Sequence, residues 1–400
     1  MNALAVSTTP TPGVDWLAVA PVAVLALAAV LIVLQRAIMR RSPAAYPVSM
    51  AIAVVGLAST VVALVAQWDR VQTDGAYQAL SGMVAVDGAA VFVGGVVVLA
   101  TSLALLLASR YLERERLDAP EFLALMLLSA SGMIAMASAN DLIAVFVALE
   151  IVSIPLYVLA AFDRRRSASL ESGLKYFLLG AFASAVFLYG VALTYGATGT
   201  TGLTGIATFL AGTTLIEQGT LLAGLVLMLV GLGFKVAAAP FQMWTPDVYQ
   251  GAPTPVTGFM AAAVKLAAFG ALLRVMYVGL GGLRWDWQPV LWLIAALTML
   301  VGSIIAVTQT DIKRMIAYSS VAQAGFILIG VVSASPQGLS SAIFYLIAYA
   351  FTTIGIFAVI SMVRDANGEA THLSKWAGLG KKSPTVAAIF SIFMLALAGI

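Results

Sequence analysis

Cysteine is absent from this chain of 400 residues, and histidine occurs once, at His372. Without thiols there is neither a disulfide framework nor a thiolate-held metal or iron–sulfur centre. One imidazole leaves little for haem or zinc, so any redox chemistry belongs to other chains. Charge is scarce too. Asp, Glu, Lys and Arg make up 10% of the residues, against about 25% in soluble domains, while 62% are hydrophobic. Mean hydropathy is +1.02. That balance excludes a soluble globular domain, and the useful unit of length is a spanning helix of about 20 residues. The net charge of +3 does not point to nucleic acid, because membrane topology accounts for where the basic residues fall. The first apolar run, Trp16 to Leu34, is followed by Arg36, Arg40 and Arg41. A signal peptide carries its positive charge ahead of the apolar run, so this is a first spanning helix.

Apolar runs predict helices near 16–34, 47–67, 88–109, 120–137, 142–162, 167–195, 219–243, 254–277, 288–306, 315–334 and 338–363, with a twelfth beginning near 384 and still running at Ile400. Loops after odd-numbered helices hold fifteen basic residues: Arg36, Arg40, Arg41, Arg110, Arg114, Arg116, Arg164, Arg165, Arg166, Lys313, Arg314, Arg364, Lys375, Lys381 and Lys382. The opposite side holds Arg70, Arg274 and Arg284. The positive-inside rule then places the N-terminus outside and the odd loops in the cytoplasm. Three basic residues remain, Lys175, Lys235 and Lys265, and each falls inside a span.

A charge at bilayer depth costs about 2.5–3.5 kcal/mol on insertion scales, so such residues usually line a pathway. Glu150 in the fifth helix joins the three lysines. Their distances from the cytoplasmic helix ends correspond to depths of roughly 12 to 18 Å at 1.5 Å per residue. One acid and three amines from four consecutive helices therefore share one layer. An ionisable side chain out of water is pressed toward its neutral form, and an opposite charge nearby favours the charged form. A row of amines between those pressures can pass protons through intervening water. Gly231, Gly233 and Pro240 bracket Lys235, and proline breaks or kinks a span where transporters commonly carry ion sites. Simpler readings compete: Lys175 can snorkel to the interface on its aliphatic stem, and a Glu–Lys pair can be structural glue. Tyr318, Ser319, Ser320 and Gln323, with Tyr345, Tyr349, Thr352 and Thr353, can hydrate a second path or make interhelical hydrogen bonds. His372 reads as a solvated loop residue and Arg164–Arg166 as topology determinants. Asp247 is expected in a loop without basic residues. The stretch Gly196–Thr214 with Glu217 reads as an outer loop with a short interfacial helix.

The segment Pro240-Phe241-Gln242-Met243-Trp244-Thr245-Pro246-Asp247-Val248-Tyr249-Gln250-Gly251-Ala252-Pro253-Thr254-Pro255, followed by Lys265, resembles the signature of NADH–quinone oxidoreductase subunit N. That family is an antiporter-like membrane subunit of bacterial respiratory complex I. Glu171–Ser184 and Thr310–Ser320 agree, and the resemblance runs from about the third helix to the end of the chain. It implies an all-α transmembrane bundle with two inverted five-helix repeats. Residues 1–115 would hold helices one to three, 116–280 the first repeat with helices four to eight, and 281–400 an incomplete second repeat with helices nine to twelve. It also implies a proton-translocating subunit of NADH:quinone oxidoreductase in the bacterial plasma membrane, without a cofactor of its own. NADH, FMN, iron–sulfur clusters and quinone are expected in partner subunits. Glu150 would modulate a partner lysine, Lys175 and Lys235 would form the input site, and Lys265 would connect laterally to the second half. A subunit of a multi-subunit Na⁺/H⁺ antiporter is the alternative. Two departures stand out. Many members carry histidine where this chain has Gln242, so water would bridge there instead. The family also continues past Leu397-Ala398-Gly399-Ile400 into a broken twelfth helix with a further lysine and two more helices, so a fragment or an incomplete second half-channel is expected.

Overall fold

The computed structural model describes residues 13–40, 42, 44–117, 120–212, 218–366 and 368–399. Arg41, Thr213, Thr214, Glu217 and Ile400, which entered the sequence expectations, lie outside the described residues. Among the described residues, eleven helices are long and apolar enough to cross a membrane. The first six are α1 (Trp16–Ile38), α2 (Ala45–Asp74), α3 (Gly88–Glu115), α4 (Pro120–Ser138), α5 (Leu142–Ala160) and α6 (Ser167–Thr198). A short helix α7 (Leu203–Gly212) follows. The seventh span, Gly219–Gly251, is interrupted into α8 (Gly219–Val236), a 3-10 turn at Phe241–Met243 and α9 (Trp244–Gly251). The eighth, Thr254–Gly279, comprises α10 (Thr254–Phe259), a π turn at Met260–Val264, α11 (Lys265–Arg274) and a second π turn at Val275–Gly279. Then come α12 (Arg284–Val307), α13 (Ile312–Val332), α14 (Pro336–Met362), α15 (Leu379–Lys382) and α16 (Pro384–Ala398). Two small antiparallel hairpins, β1–β2 (Tyr77–Ala79, Val84–Val86) and β3–β4 (Arg364–Asp365, Gly368–Glu369), lie outside the long helices.

Helix starts use the few acids available. The carboxylates of Asp15, Asp87, Asp141 and Asp311 accept from first-turn amides of α1, α3, α5 and α13, each such cap contributing about 1 kcal/mol. Because lipid gives no hydrophobic drive between helices, close backbone approach holds the bundle together. A Cβ on Gly190 of α6 would stand 2.8 Å from the Gly224 carbonyl of α8, and one on Gly302 of α12 would stand 2.4 Å from the Ala322 amide of α13. The Thr254–Gly279 span is buried almost throughout and forms the centre, whereas α12 turns Trp292, Leu300 and Ile304 outward.

Several expectations change. The seventh span, expected to end near 243, continues to Gly251, because α8 stops early and α9 must complete the crossing. The twelfth helix, expected to begin near 384, is α16 from Pro384 to Ala398, and its expected continuation at Ile400 lies outside the described residues. Lys313 and Arg274, counted as loop charges, are helical and 1% and 8% exposed. Asp247 is on α9 and ion-paired to two basic residues, not in a loop without them. The tertiary fold, not local sequence, brings their partners.

Candidate functional site

The site is built around the interruption of the seventh span. Helix α8 ends where Ala237 adopts a left-handed conformation, φ 61° and ψ 39°, which costs a non-glycine residue about 1–2 kcal/mol. The amides freed there find partners, as lipid demands. The Ala237 and Ala238 amides donate to the Phe234 and Gly233 carbonyls at 3.1 and 2.9 Å, and the Ala239 amide donates to Thr298 Oγ1 at 2.9 Å. Trp244 Nε1 donates to the Phe234 carbonyl at 3.1 Å. These bonds hold the break and fix the last turn of α8.

Lys235 lies in that last turn, 5% exposed. Its Nζ donates to Ser153 Oγ at 2.7 Å and to the Tyr176 hydroxyl at 3.3 Å, and stands 5.6 Å from the Tyr176 ring centroid. Tyr176 is held in turn by stacking on Trp244, with centroids 4.7 Å apart, and by an edge contact with Tyr157. Ser153 is one helical turn from Glu150 on α5. Glu150 Oε1 is buried and takes no hydrogen bond from any described residue, and the same holds for Gln242 Oε1 and Thr245 Oγ1 beside the break. Buried polar oxygens of this kind are normally paired, with protein or with water.

Lys265 follows the π turn at Met260–Val264, a widened turn that frequently marks functional positions, and is 2% exposed. Its Nζ donates to the carbonyl and hydroxyl of Ser320 at 2.5 and 2.6 Å. The Tyr349 hydroxyl donates to the same Ser320 Oγ at 2.7 Å, and the Lys265 amine lies 5.1 Å from the Tyr349 ring centroid. Among the described residues neither Lys235 nor Lys265 has a carboxylate within ion-pair distance. Hydroxyls, carbonyls and ring faces hold both amines, so either can be charged or neutral without stranding a counter-ion.

Lys175 is placed differently. Its side chain is 41% exposed and pairs with Glu171 Oε1 and Asp247 Oδ2, both at 2.7 Å. Asp247 Oδ1 also meets Arg314 Nη1 at 2.5 Å. These groups, with Arg166 and Gln250, line an open polar cavity. The four residues singled out by sequence thus divide into Lys235 beside the α5 face that carries Glu150, Lys265 on the α11–α13 contact, and Lys175 at a polar mouth. The tenth- and eleventh-helix candidates also divide. Ser320 and Tyr349 join Lys265, Tyr345 donates to Gln323, and Thr352 and Thr353 bond carbonyls of their own helix. Sequence reasoning missed Ser153 and Tyr176. A helical period linking Ser153 to Glu150, and the adjacency of Tyr176 to Lys175, were the available signals. Among the described residues no group of three or more His, Cys, Asp or Glu is arranged to hold a metal ion.

Residues 139–400 match the family described as NADH:quinone oxidoreductase/Mrp antiporter, TM. The chain is 47% identical over 431 residues to NADH-quinone oxidoreductase subunit N 3 of Streptomyces griseus, which covers 97% of this chain and 77% of that protein. A chain of respiratory complex I from Thermus thermophilus superposes with a TM-score of 0.77 at 37% identity, covering 95% of this chain and 78% of that one. A chain of the Mrp complex from Dietzia superposes with a TM-score of 0.80 at 24% identity, covering 96% and 71%, and shows the shared fold alone.

Proposed function

Because this chain belongs to the NADH-quinone oxidoreductase subunit N family, we propose that it moves protons through Glu150, Lys175, Lys235 and Lys265 as a membrane subunit of that translocase. Its partners are the other membrane subunits, and the energy comes from electron transfer between NADH and quinone. We assign NADH, FMN, iron–sulfur clusters and quinone to other subunits of the complex, not to this chain. The observation that carries the reading is the pair of buried amines, Lys235 and Lys265, each on an interrupted or widened helix and each held by hydroxyls instead of carboxylates. Such amines load and unload protons where a fixed ion pair would not. Lys175, at the polar cavity, collects protons from the basic-loop face. Glu150, one turn from Ser153, biases the charge on Lys235. Lys265 hands protons toward the second half.

We place the chain in the bacterial plasma membrane with its N-terminus outside, on the asymmetry of Lys and Arg between loops. Residues 1–115 precede a first repeat at 116–280, and 281–400 contribute part of a second, inverted one. A cation antiporter subunit is less well supported: the Mrp likeness extends to the fold, whereas the Streptomyces subunit N is identical at 47% of the aligned residues. In the assembled complex, Lys235→Ala or Glu150→Ala abolishes or strongly reduces quinone reductase activity and coupled proton pumping. Wild-type rates of both in a correctly assembled mutant complex contradict the proposal.

A further inference from the structure

One buried amine has no place in that pathway. Lys313 opens α13, yet it is 1% exposed. Its Nζ donates to the Ala252 carbonyl at 2.8 Å and reaches the Thr254 hydroxyl at 3.4 Å. Thr254 in turn donates to Glu369 Oε2 at 2.6 Å. Glu369 Oε1 is buried and takes no hydrogen bond from any described residue. The carboxylate is delivered by the β3–β4 hairpin, whose continuation is tied to the start of α13 by Ile312 N–H to the Thr371 carbonyl at 2.7 Å and Leu373 N–H to the Thr310 carbonyl at 2.8 Å. Arg166 and Asp311 are the other charged groups acting on Lys313, and Tyr111 lies near Glu369.

A latch that fastens the hairpin to the helix ends explains a Lys–Glu pair. It does not require the two charges to be joined through a hydroxyl, nor one carboxylate oxygen to be buried without a protein partner. Both helices involved also lead to Lys265. Thr254 begins the span that carries Lys265 eleven residues later, and Lys313 precedes Ser320, the residue that holds the Lys265 amine, by seven. At 1.5 Å per residue those intervals are about 16 and 10 Å along the helices. Tyr249, 2% exposed, lies beside Ser320.

We propose that Glu369, Thr254 and Lys313 form a proton-uptake relay on the basic-loop face that feeds Lys265. The proposal rests on the assignment of Lys265 as a proton carrier. Glu369, protonated from solution, gives its proton to Thr254 Oγ1 while the original Thr254 hydroxyl proton passes to the neutral Lys313 amine. The products are a carboxylate, an unchanged hydroxyl and an ammonium. The separations, 3.4 Å from Lys313 Nζ to Thr254 Oγ1 and 2.6 Å from Thr254 Oγ1 to Glu369 Oε2, keep each pair within reach of this transfer. Lys313 then releases its proton inward toward Ser320 and Lys265 and returns to the neutral amine.

The test uses the assembled complex in inverted membrane vesicles, reading quinone reductase rate, proton uptake and the amount of assembled complex between about pH 6 and pH 9. Thr254→Val and Glu369→Gln each lower proton uptake at least about tenfold and change its pH profile, while Thr254→Ser and Glu369→Asp restore most of it. Wild-type uptake and pH profile in Thr254→Val overturn the relay. So does a loss in both glutamate variants that follows the amount of assembled complex with an unchanged pH profile, which is the behaviour of a latch. If Glu369→Gln does not assemble, the Thr254→Val and Thr254→Ser pair decides. Lys265→Ala, measured alongside, separates the two proposals: pumping retained there contradicts the assignment of Lys265 as a carrier, whereas pumping lost there but retained in Thr254→Val overturns the relay alone.

Discussion

Replacing Asp87 by Asn isolates the energy of one buried ion pair. Arg274, 8% exposed, donates from Nη2 to both carboxylate oxygens of Asp87, at 3.0 and 2.8 Å, and from Nε to the Ala137 carbonyl at 3.1 Å. Asp87 Oδ1 also caps α3 by accepting from the Ala90 amide at 2.8 Å. Asparagine caps as well as aspartate does, so the substitution removes the charge and keeps the cap. Stranding one partner of a buried pair costs about 3–5 kcal/mol. The Asp87 side chain is 30% exposed, which places the cost near the lower bound. About 3 kcal/mol raises the population of the locally opened state roughly 100-fold, and proteolysis of a transiently opened segment tracks that population. The assay is protease cleavage of the subunit in vesicles across a temperature series. Asp87→Asn is cleaved about 100-fold faster than the wild type. The double variant Asp87→Asn/Arg274→Met recovers at least about 1 kcal/mol relative to the sum of the single changes. Cleavage of Asp87→Asn at the wild-type rate, or strict additivity, refutes the reasoning.

Ser153→Ala removes the closer of the two side-chain acceptors of Lys235 and weakens the hold on its charged form by about 1.5–3 kcal/mol. Proton pumping in the assembled complex falls several-fold while Ser153→Thr, which keeps a hydroxyl, retains most of it; equal activity in Ser153→Ala and wild type contradicts the role. At the start of α1, burial pushes the Asp15 carboxyl up, but the Arg70 guanidinium and the Ala18 and Leu17 amides outweigh it and hold it below its ordinary value of 3.8. A depressed folded value means that the stabilisation is fully present above the ordinary value and is lost as pH falls through the folded one. Thermal resistance of the wild type therefore drops below about pH 4 more steeply than that of Asp15→Asn, and parallel curves contradict the linkage. Trp244→Phe removes the indole donor from the Phe234 carbonyl, which keeps the Ala237 amide, and costs about 0.5–1.5 kcal/mol, read as a lower unfolding temperature of the subunit; an unchanged temperature shows that the indole bond does not hold the break.

The spanning helices were legible because an apolar run of about 20 residues matches the thickness of a lipid core and exceeds what a soluble core helix buries. Glu150, Lys235 and Lys265 were legible because a charge inside such a run is costly and stands out. The interruption after Lys235 was signalled by Pro240, but not its position: Ala237 carries no local mark of a left-handed residue. The π turn before Lys265 lies in an alanine-rich stretch with nothing to announce it. Lys313 was hidden by its neighbour Arg314, since two adjacent basic residues beside a span read as a topology signal. Its burial comes from Ala252, Thr254 and the β3–β4 hairpin, each more than fifty residues away. Asp247 was misplaced for the same reason, because its partners Lys175 and Arg314 come from α6 and α13, about seventy residues to either side. Long-range charge pairing is set by how helices pack, and no period in a single sequence reports it.

A structure of the assembled complex at a resolution that places water tests most directly whether the buried amines conduct. Ordered waters are expected on Glu150 Oε1, Gln242 Oε1 and Thr245 Oγ1 and in a connected line from Lys235 to Lys265. Apolar side chains packed against those oxygens, with the two lysines sealed from each other and no water between them, contradict proton movement along this path.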